Sequence, residues 1–357
     1  MPLDFLNSTP LELANVMKEQ GVKADYVFFF SYVQPEPKDG GGIWSAADEL
    51  VRVNTAMLSN FLEALKLAEI TPKRVMLQTG AKNYGLHLGP TMTPQRESDP
   101  RVLLEPNFYY TQEDVLFKYC KETGAGWNVV MPSFILGAVK DAAMNMMYPL
   151  GIFGAVQAYL GRPLVFPGDL ASYMMPLDLS SATLNSYLEE WAVLTPNAVN
   201  QAFNASDNSA FSWAAFWPMF ASWYGVSYQV PEDENAEYIS IPTQYEPPPR
   251  GFGPRGTIRL KYALTQWATD PEVQEAWKAL TQRYDLQSNP FQCGKDINRI
   301  FSFADNALLI AWPLQFSRSK GHKLGWFGAV DTLESMRQIL DEFVELQMLP
   351  PLPTLKM

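Results

Sequence analysis

RVMLQTGAKNYG, Arg74 to Gly85, passes from an apolar run into a polar turn flanked by glycines. The run reads as a short buried strand, and the turn as the loop that leaves it. Lys82 sits on that loop, next but one to Tyr84. Loops at the carboxyl ends of parallel strands are where α/β proteins hold ligands. A lysine placed there is a candidate for chemistry.

The flanking segments make the alternation. Thr9-Pro10 opens a helix, with a capping hydroxyl and then proline at the first helical position. Leu11, Leu13, Ala14 and Met17 supply its apolar face, and Gly21 ends it. DYVFFFSYV, Asp25 to Val33, is a continuous apolar run, expected of a strand covered on both faces. PEPKDGGG follows as a loop. Ser45 is then expected to cap a helix from about Ala46 to Leu67. Beyond the opening stretch, a helix from about Tyr110 to Thr123 precedes the strand WNVVMP, Trp127 to Pro132. Strands alternating with helices predict parallel crossovers and an α/β domain.

After Gly137 aromatics and prolines become dense. Helices are expected over Tyr148–Leu160, Ser180–Leu194, Ser212–Tyr224, Pro271–Tyr284 and Thr332–Leu346. The proline-rich stretch Tyr245–Gly256 reads as a connector. Phe153, Trp213, Trp217 and Trp223 are candidates for an apolar pocket, although ordinary core packing serves each of them as well.

Composition bounds the function. The chain has 357 residues, 47% apolar and 18% charged, which is globular and not disordered. The net charge of -11 and the lack of a basic stripe argue against nucleic acid and against an anionic membrane surface. Cys120 and Cys293 are far apart, as expected of free thiols in a reducing, cytoplasmic compartment. His87 and His322 are isolated, so no metal-ligand spacing exists. The first residues lack the basic-then-apolar pattern of a signal peptide. No apolar run is long enough to span a bilayer.

Three strand ends are therefore expected to face one region: Ser31-Tyr32, Thr79 to Tyr84, and Pro132-Ser133. Between the last two lies PNFYYTQED, with Tyr109 and Tyr110 beside the start of a helix. A lysine near a tyrosine makes an acid–base pair, because the ammonium lowers the cost of ionising the phenol. Packing tyrosines and a solvated lysine are the plainer alternative.

TGAKNYG, PNFYYTQEDVL, WNVVMPSFILG, Met144-Asn145 and the FPGD of Phe166 to Asp169 together resemble the progesterone 5β-reductase and iridoid synthase-like (PRISE) short-chain dehydrogenases. The resemblance is to fungal-type members and runs from about Asp4 to the C-terminus. It implies a Rossmann-like parallel sheet with a mainly helical substrate-binding cap. Residues 1–140 would form the core, and 141–357 the cap with some core-completing segments. It implies reduction of an apolar enone or other carbonyl metabolite by NADPH, with a tyrosine stabilising the enolate oxygen. The catalytic pair would be Lys82 and Tyr109, with Tyr110 as the adjacent alternative. Thr79, Ser31, Pro132, Ser133 and Ile135 would contact the cofactor.

Two departures stand out. Met131 occupies a position where the family usually has arginine, so a positive charge or a packing anchor near the cofactor is replaced. The family's glycine-rich phosphate turn, G-x-x-G-x-x-G, is missing from the first half. Gly40–Gly42 reads as a surface turn and not a substitute, because Asp39 would repel a pyrophosphate. The sheet is thus expected to be incomplete at its N-terminal side. Asp25–Val33 would be an edge, open to a second copy or a partner chain. Two further classes follow: a cofactor-independent isomerase or cyclase using the same pair, and a non-catalytic partner subunit. NADPH should bind weakly or not at all, since its phosphates lack their N–H cradle. Submicromolar binding in a fluorescence titration would overturn that expectation.

Overall fold

The structure is a computed structural model that describes residues 3–38, 44–141, 143–231, 237–291 and 294–353. Asp39, Gly40–Gly42 and Cys293 lie outside the described residues. Four strands make the main sheet: β1 (Tyr26–Phe29), β2 (Arg74–Gln78), β3 (Gly126–Pro132) and, after the short strands β4 (Phe134–Leu136), β5 (Leu164–Val165) and β6 (Leu179–Ser181), β7 (Gln201–Ala205). They pair in the order β1-β2-β3-β7, all parallel. Helix α1 (Pro10–Glu19) leads into β1, α2 (Ala47–Leu67) joins β1 to β2, and α3 (Phe108–Thr123) joins β2 to β3. This is a Rossmann-type α/β arrangement.

Local chemistry explains most boundaries. Thr9 and Glu12 form a reciprocal capping box at α1. Leu13, Ala14 and Met17 are buried there, whereas Leu11, expected on the same face, is 59% exposed. Ser45 does not cap α2; its hydroxyl accepts from the Lys38 N–H at 2.9 Å. Helix α3 starts at Phe108 and not Tyr110, because the Asn107 side chain caps it by accepting from Tyr109 N–H.

The strand Asp25–Val33 is shorter than expected, and it is not covered on both faces. Val27 and Phe29 are buried and join the core shared with Leu58 of α2 and Leu116 of α3. Tyr26 and Phe28 are each 38% exposed. The second face of the sheet is closed by α6 (Ala182–Leu194), with Met76, Val130, Leu188, Ala192 and Phe203 in one cluster. That cluster contains no residue of β1, the terminal strand among the described residues.

The rest of the chain is mainly helical: α4 (Met147–Leu160), α5 (Leu170–Met174), α7 (Trp213–Tyr224), α8 (Leu264–Trp267), α9 (Pro271–Tyr284), α10 (Gly294–Leu309), α11 (Ser319–Leu324) and α12 (Thr332–Glu345). The expected helix at Ser180 begins at Ala182, since Ser180 and Ser181 pair with β4 in β6. A short strand, β8 (Tyr228–Gln229), pairs with β5. The connector Tyr245–Gly256 joins β9 (Ile239–Pro242) to β10 (Thr257–Leu260) in an antiparallel hairpin. Helices α4 and α7 are apolar nearly all round, the pattern of helices buried on every side. They approach closely where Gly154 of α4 meets the Tyr224 ring; a Cβ there would lie 2.4 Å from it.

The two faces of β1 predict opposite costs. Phe29→Ala should destabilise by about 3 to 5 kcal/mol, the scale for a buried phenylalanine. Phe28→Ala should cost about 1 kcal/mol or less. Urea denaturation of both variants checks this, and equal losses would mean that both faces are covered.

Candidate active site

A cavity of about 660 Å³ lies where β1, β2 and β3 end. Ser31 enters its wall from beyond β1, Thr79, Gly80 and Lys82 from beyond β2, and Pro132, Ser133 and Ile135 from the end of β3 and β4. Tyr109 enters from the first turn of α3. The facing wall comes from later in the chain: Thr243 and Gln244 after β9, Ile258 of β10, Phe303 and Asn306 of α10, and Trp312. The Trp312 indole N–H donates to the Leu86 carbonyl at 3.0 Å and ties the two walls together.

The expected pocket aromatics are not in this wall. Phe153, Trp213 and Trp217 are wholly buried and pack with one another on α4 and α7, and Trp223 packs beside Phe216. Phe30, Trp44, Phe108, Phe134, Phe303 and Trp312 take the role instead.

Lys82 rides on a tight helical turn, Ala81–Tyr84. Asn107 donates through its side-chain amide to the Lys82 carbonyl at 3.1 Å while capping α3 with its oxygen. One asparagine thus fixes both the lysine turn and the helix start that carries Tyr109. The Lys82 ammonium is buried and has no hydrogen-bond partner among the described residues. It lies 5.4 Å from the Trp44 ring centre and 5.7 Å from that of Phe108. Burial lowers its pKa to about 8, against the opposing pull of Glu105.

Tyr109 is half-buried, with its hydroxyl beside Gly80. A Cβ on Gly80 would sit 3.0 Å from the Tyr109 hydroxyl oxygen and 3.5 Å from the Pro132 carbonyl, so the close approach calls for glycine. Burial raises the phenol pKa above its ordinary value. Lys82 and Tyr109 share the cavity wall, but no hydrogen bond joins them, since Lys82 Nζ has no partner among the described residues. Tyr109 stays protonated at neutral pH, so its hydroxyl can donate to a group in the cavity. Tyr110 is outside the wall. Its hydroxyl donates to the Asn83 carbonyl at 2.6 Å and accepts from Val102 N–H at 2.9 Å.

Thr79 and Ser133 spend their hydroxyls on the scaffold, bonding to the carbonyls of Val130 and Asp178. They offer the cavity shape and little polarity. Met131 is buried behind the Lys82 turn, where its sulfur accepts from the Asn83 amide at 3.3 Å. It is a packing anchor and does not reach the cavity wall. Met144 does reach the wall, with a left-handed φ of 51°. Asn145 stabilises that turn by accepting from Met147 and Tyr148 N–H. Asp169, in the FPGD stretch, caps α5 through Ser172 N–H.

Two wall residues carry no sequence signal at all. His87 Nε2 lies 2.9 Å from a Glu105 carboxylate oxygen. Burial, helped by the nearby Lys82 charge, lowers the His87 pKa to about 4. Burial alone would raise Glu105, but His87 and Lys82 outweigh it and hold the carboxyl below its usual value. An ionised Glu105 only accepts, so Nε2 carries the ring proton and Nδ1 is left bare. No group of three or more metal-ligating side chains exists among the described residues.

A family model described as "PRISE-like Rossmann-fold domain" matches residues 3–244. The chain belongs to this family. It is 28% identical to the "Short chain dehydrogenase gsfE" of Penicillium aethiopicum, over 98% of this chain and 85% of that one. It is 29% identical to the "3-oxo-Delta(4,5)-steroid 5-beta-reductase" of Arabidopsis thaliana, over 67% and 62%. It is 35% identical to the "(S)-8-oxocitronellyl enol synthase CYC2" of Camptotheca acuminata, over 50% and 48%. Among solved structures, UDP-glucuronic acid 4-epimerase from Bacillus cereus superposes with a TM-score of 0.56 over 96% of this chain and 81% of that one. At 12% identity, that likeness shows the fold alone.

Pro132 and Ile135 give the wall an apolar surface on which a flat ring such as a nicotinamide could rest. No glycine-rich phosphate cradle accompanies it among the described residues. No described helix is long and apolar enough to cross a membrane.

The two neighbouring tyrosines predict different losses. Tyr110→Phe should lower stability by about 1 to 3 kcal/mol, because two buried backbone groups lose their partner. Its effect should appear in the melting temperature. A Tyr110→Phe protein that melts like the parent would contradict the structural role.

Proposed function

We propose that this PRISE-family chain acts on an apolar α,β-unsaturated carbonyl compound, with the Tyr109 hydroxyl holding the carbonyl oxygen. The observation that carries this is the Tyr109 hydroxyl beside Gly80, on the wall of a cavity formed largely by aromatic and aliphatic side chains. The likeness to two relatives, a steroid 5-beta-reductase and an enol synthase, supports the substrate class.

The chemistry follows from the donor. Addition at the β-carbon of an enone moves negative charge onto the carbonyl oxygen. A neutral phenol aimed at that oxygen gains more in the transition state than in the ground state, and more in a dry site than in water. The raised pKa of Tyr109 keeps its proton in place for this role. Lys82 adds partial positive charge to the same cavity, balanced by Glu105. The aromatic wall excludes water and orients the apolar body of the substrate. When bound, NADPH would supply hydride to the β-carbon, with Ser31, Thr79, Pro132, Ser133 and Ile135 against its nicotinamide. A cofactor-independent isomerase or cyclase is the second reading, because a Tyr109 donor polarises a carbonyl whether or not hydride arrives.

Tyr109→Phe keeps the ring and removes the donor. With benzylideneacetone as the enone, turnover should fall by roughly a hundredfold, while stability changes by about 1 kcal/mol or less. Full activity in Tyr109→Phe would sink the proposal. Product analysis separates the two readings: a saturated ketone formed with NADPH supports the reductase, and an isomerised or cyclised product without it supports the alternative.

A further inference from the structure

Lys82 is poorly accounted for as a structural cation. Buried ammonium groups are normally paired or hydrogen-bonded, since desolvation otherwise costs several kcal/mol. The Lys82 nitrogen has no acceptor among the described residues. Its surroundings are two aromatic ring faces and, further off, one carboxylate. That setting favours the neutral amine more than water does, which is how enzymes activate lysine as a nucleophile.

We propose that Lys82 condenses with an aldehyde in the cavity to form a reversible imine. This goes beyond the enone reading, since it needs neither hydride nor the donor role of Tyr109. The Nζ lone pair attacks the carbonyl carbon, forming the C–N bond as the C=O π pair moves onto oxygen. Proton transfer from nitrogen to oxygen gives a carbinolamine. Its hydroxyl leaves as the nitrogen lone pair forms C=N, and takes up the remaining N–H proton to depart as water. Amine and aldehyde become imine and water, so no oxidant or reductant is required.

Three features of the wall serve these steps. With its pKa lowered to about 8 by burial, Lys82 holds far more free amine near neutral pH than an exposed lysine does. The protonated imine is a cation, and the faces of Trp44 and Phe108 with Glu105 stabilise it where the ammonium stood. His87 on the same wall is neutral at pH 7, so it places no second cation beside the protonated imine. The other titratable groups of the wall, Tyr32 and Tyr109, are kept protonated by burial. An imine of an α,β-unsaturated aldehyde is a stronger electrophile at its β-carbon once protonated. Such aldehydes are therefore the substrate class that gains most.

Trapping tests this without any variant. The full chain is incubated with cinnamaldehyde and sodium cyanoborohydride, digested and mapped by mass spectrometry. The expected result is one reduced adduct per chain, on Lys82, at about tenfold or more the level on any other lysine. Adducts spread over surface lysines with Lys82 unmodified would overturn the proposal. Lys82→Arg should abolish the dominant adduct. Tyr109→Phe should keep it while losing enone turnover, so the two proposals fail separately. Enone turnover intact in a protein that shows no Lys82 adduct would overturn the imine alone.

Discussion

Parallel pairing in register is the constraint from which the site follows. Phe29 lies beside Leu77, and Leu77 beside Val129, across three adjacent strands. The chains leaving β1, β2 and β3 therefore emerge at one level. Parallel strands need a crossover each, so their carboxyl ends gather on the same side and their loops share a space. Ser31, Thr79 and Pro132 meet in one wall for this reason, although nothing in their local sequence brings them together.

Within that wall the electrostatics are set by burial more than by pairing. Lys82, His87, Glu105 and Tyr109 sit close to apolar rings, so each is pushed toward its neutral form. Glu105 alone ends favouring its charged form, because its partners outweigh its desolvation. The result is a site with one firm charge, one half-committed amine and one donor that keeps its proton. Such a set suits carbonyl chemistry, where charge appears on oxygen only during the reaction.

The scaffold pays attention to orientation through backbone contacts. Asn107 serves the Lys82 turn and the α3 cap at once. Tyr110 pins the same turn to Val102 from behind, and Met131 packs beneath Asn83. The far wall rests on α10 and the loop carrying Trp312, whose indole reaches back to Leu86. Loss of any one of these contacts would move the amine relative to the phenol without touching either.

Much of the fold was legible in the sequence. Period, caps and glycine stops placed β2, β3, α1, α2 and most later helices, because these signals are local and set by backbone chemistry. The quoted motifs carried the resemblance to the family, which the family model bears out, and that resemblance pointed to Lys82 and Tyr109, both of which line the cavity. Tertiary structure alone decided the rest. It chose Tyr109 over Tyr110 for the cavity, since adjacent helical residues point about 100° apart. It exposed one face of β1, because an apolar run does not say which faces a neighbour will cover. It brought His87 to Glu105 and both to Lys82, residues whose separation in sequence carries no trace of contact. It also moved Met131 out of the site, and Phe153 of α4 and the tryptophans of α7 away from the pocket. Element type is written in short-range pattern, whereas a site is written in distances between elements, which packing sets.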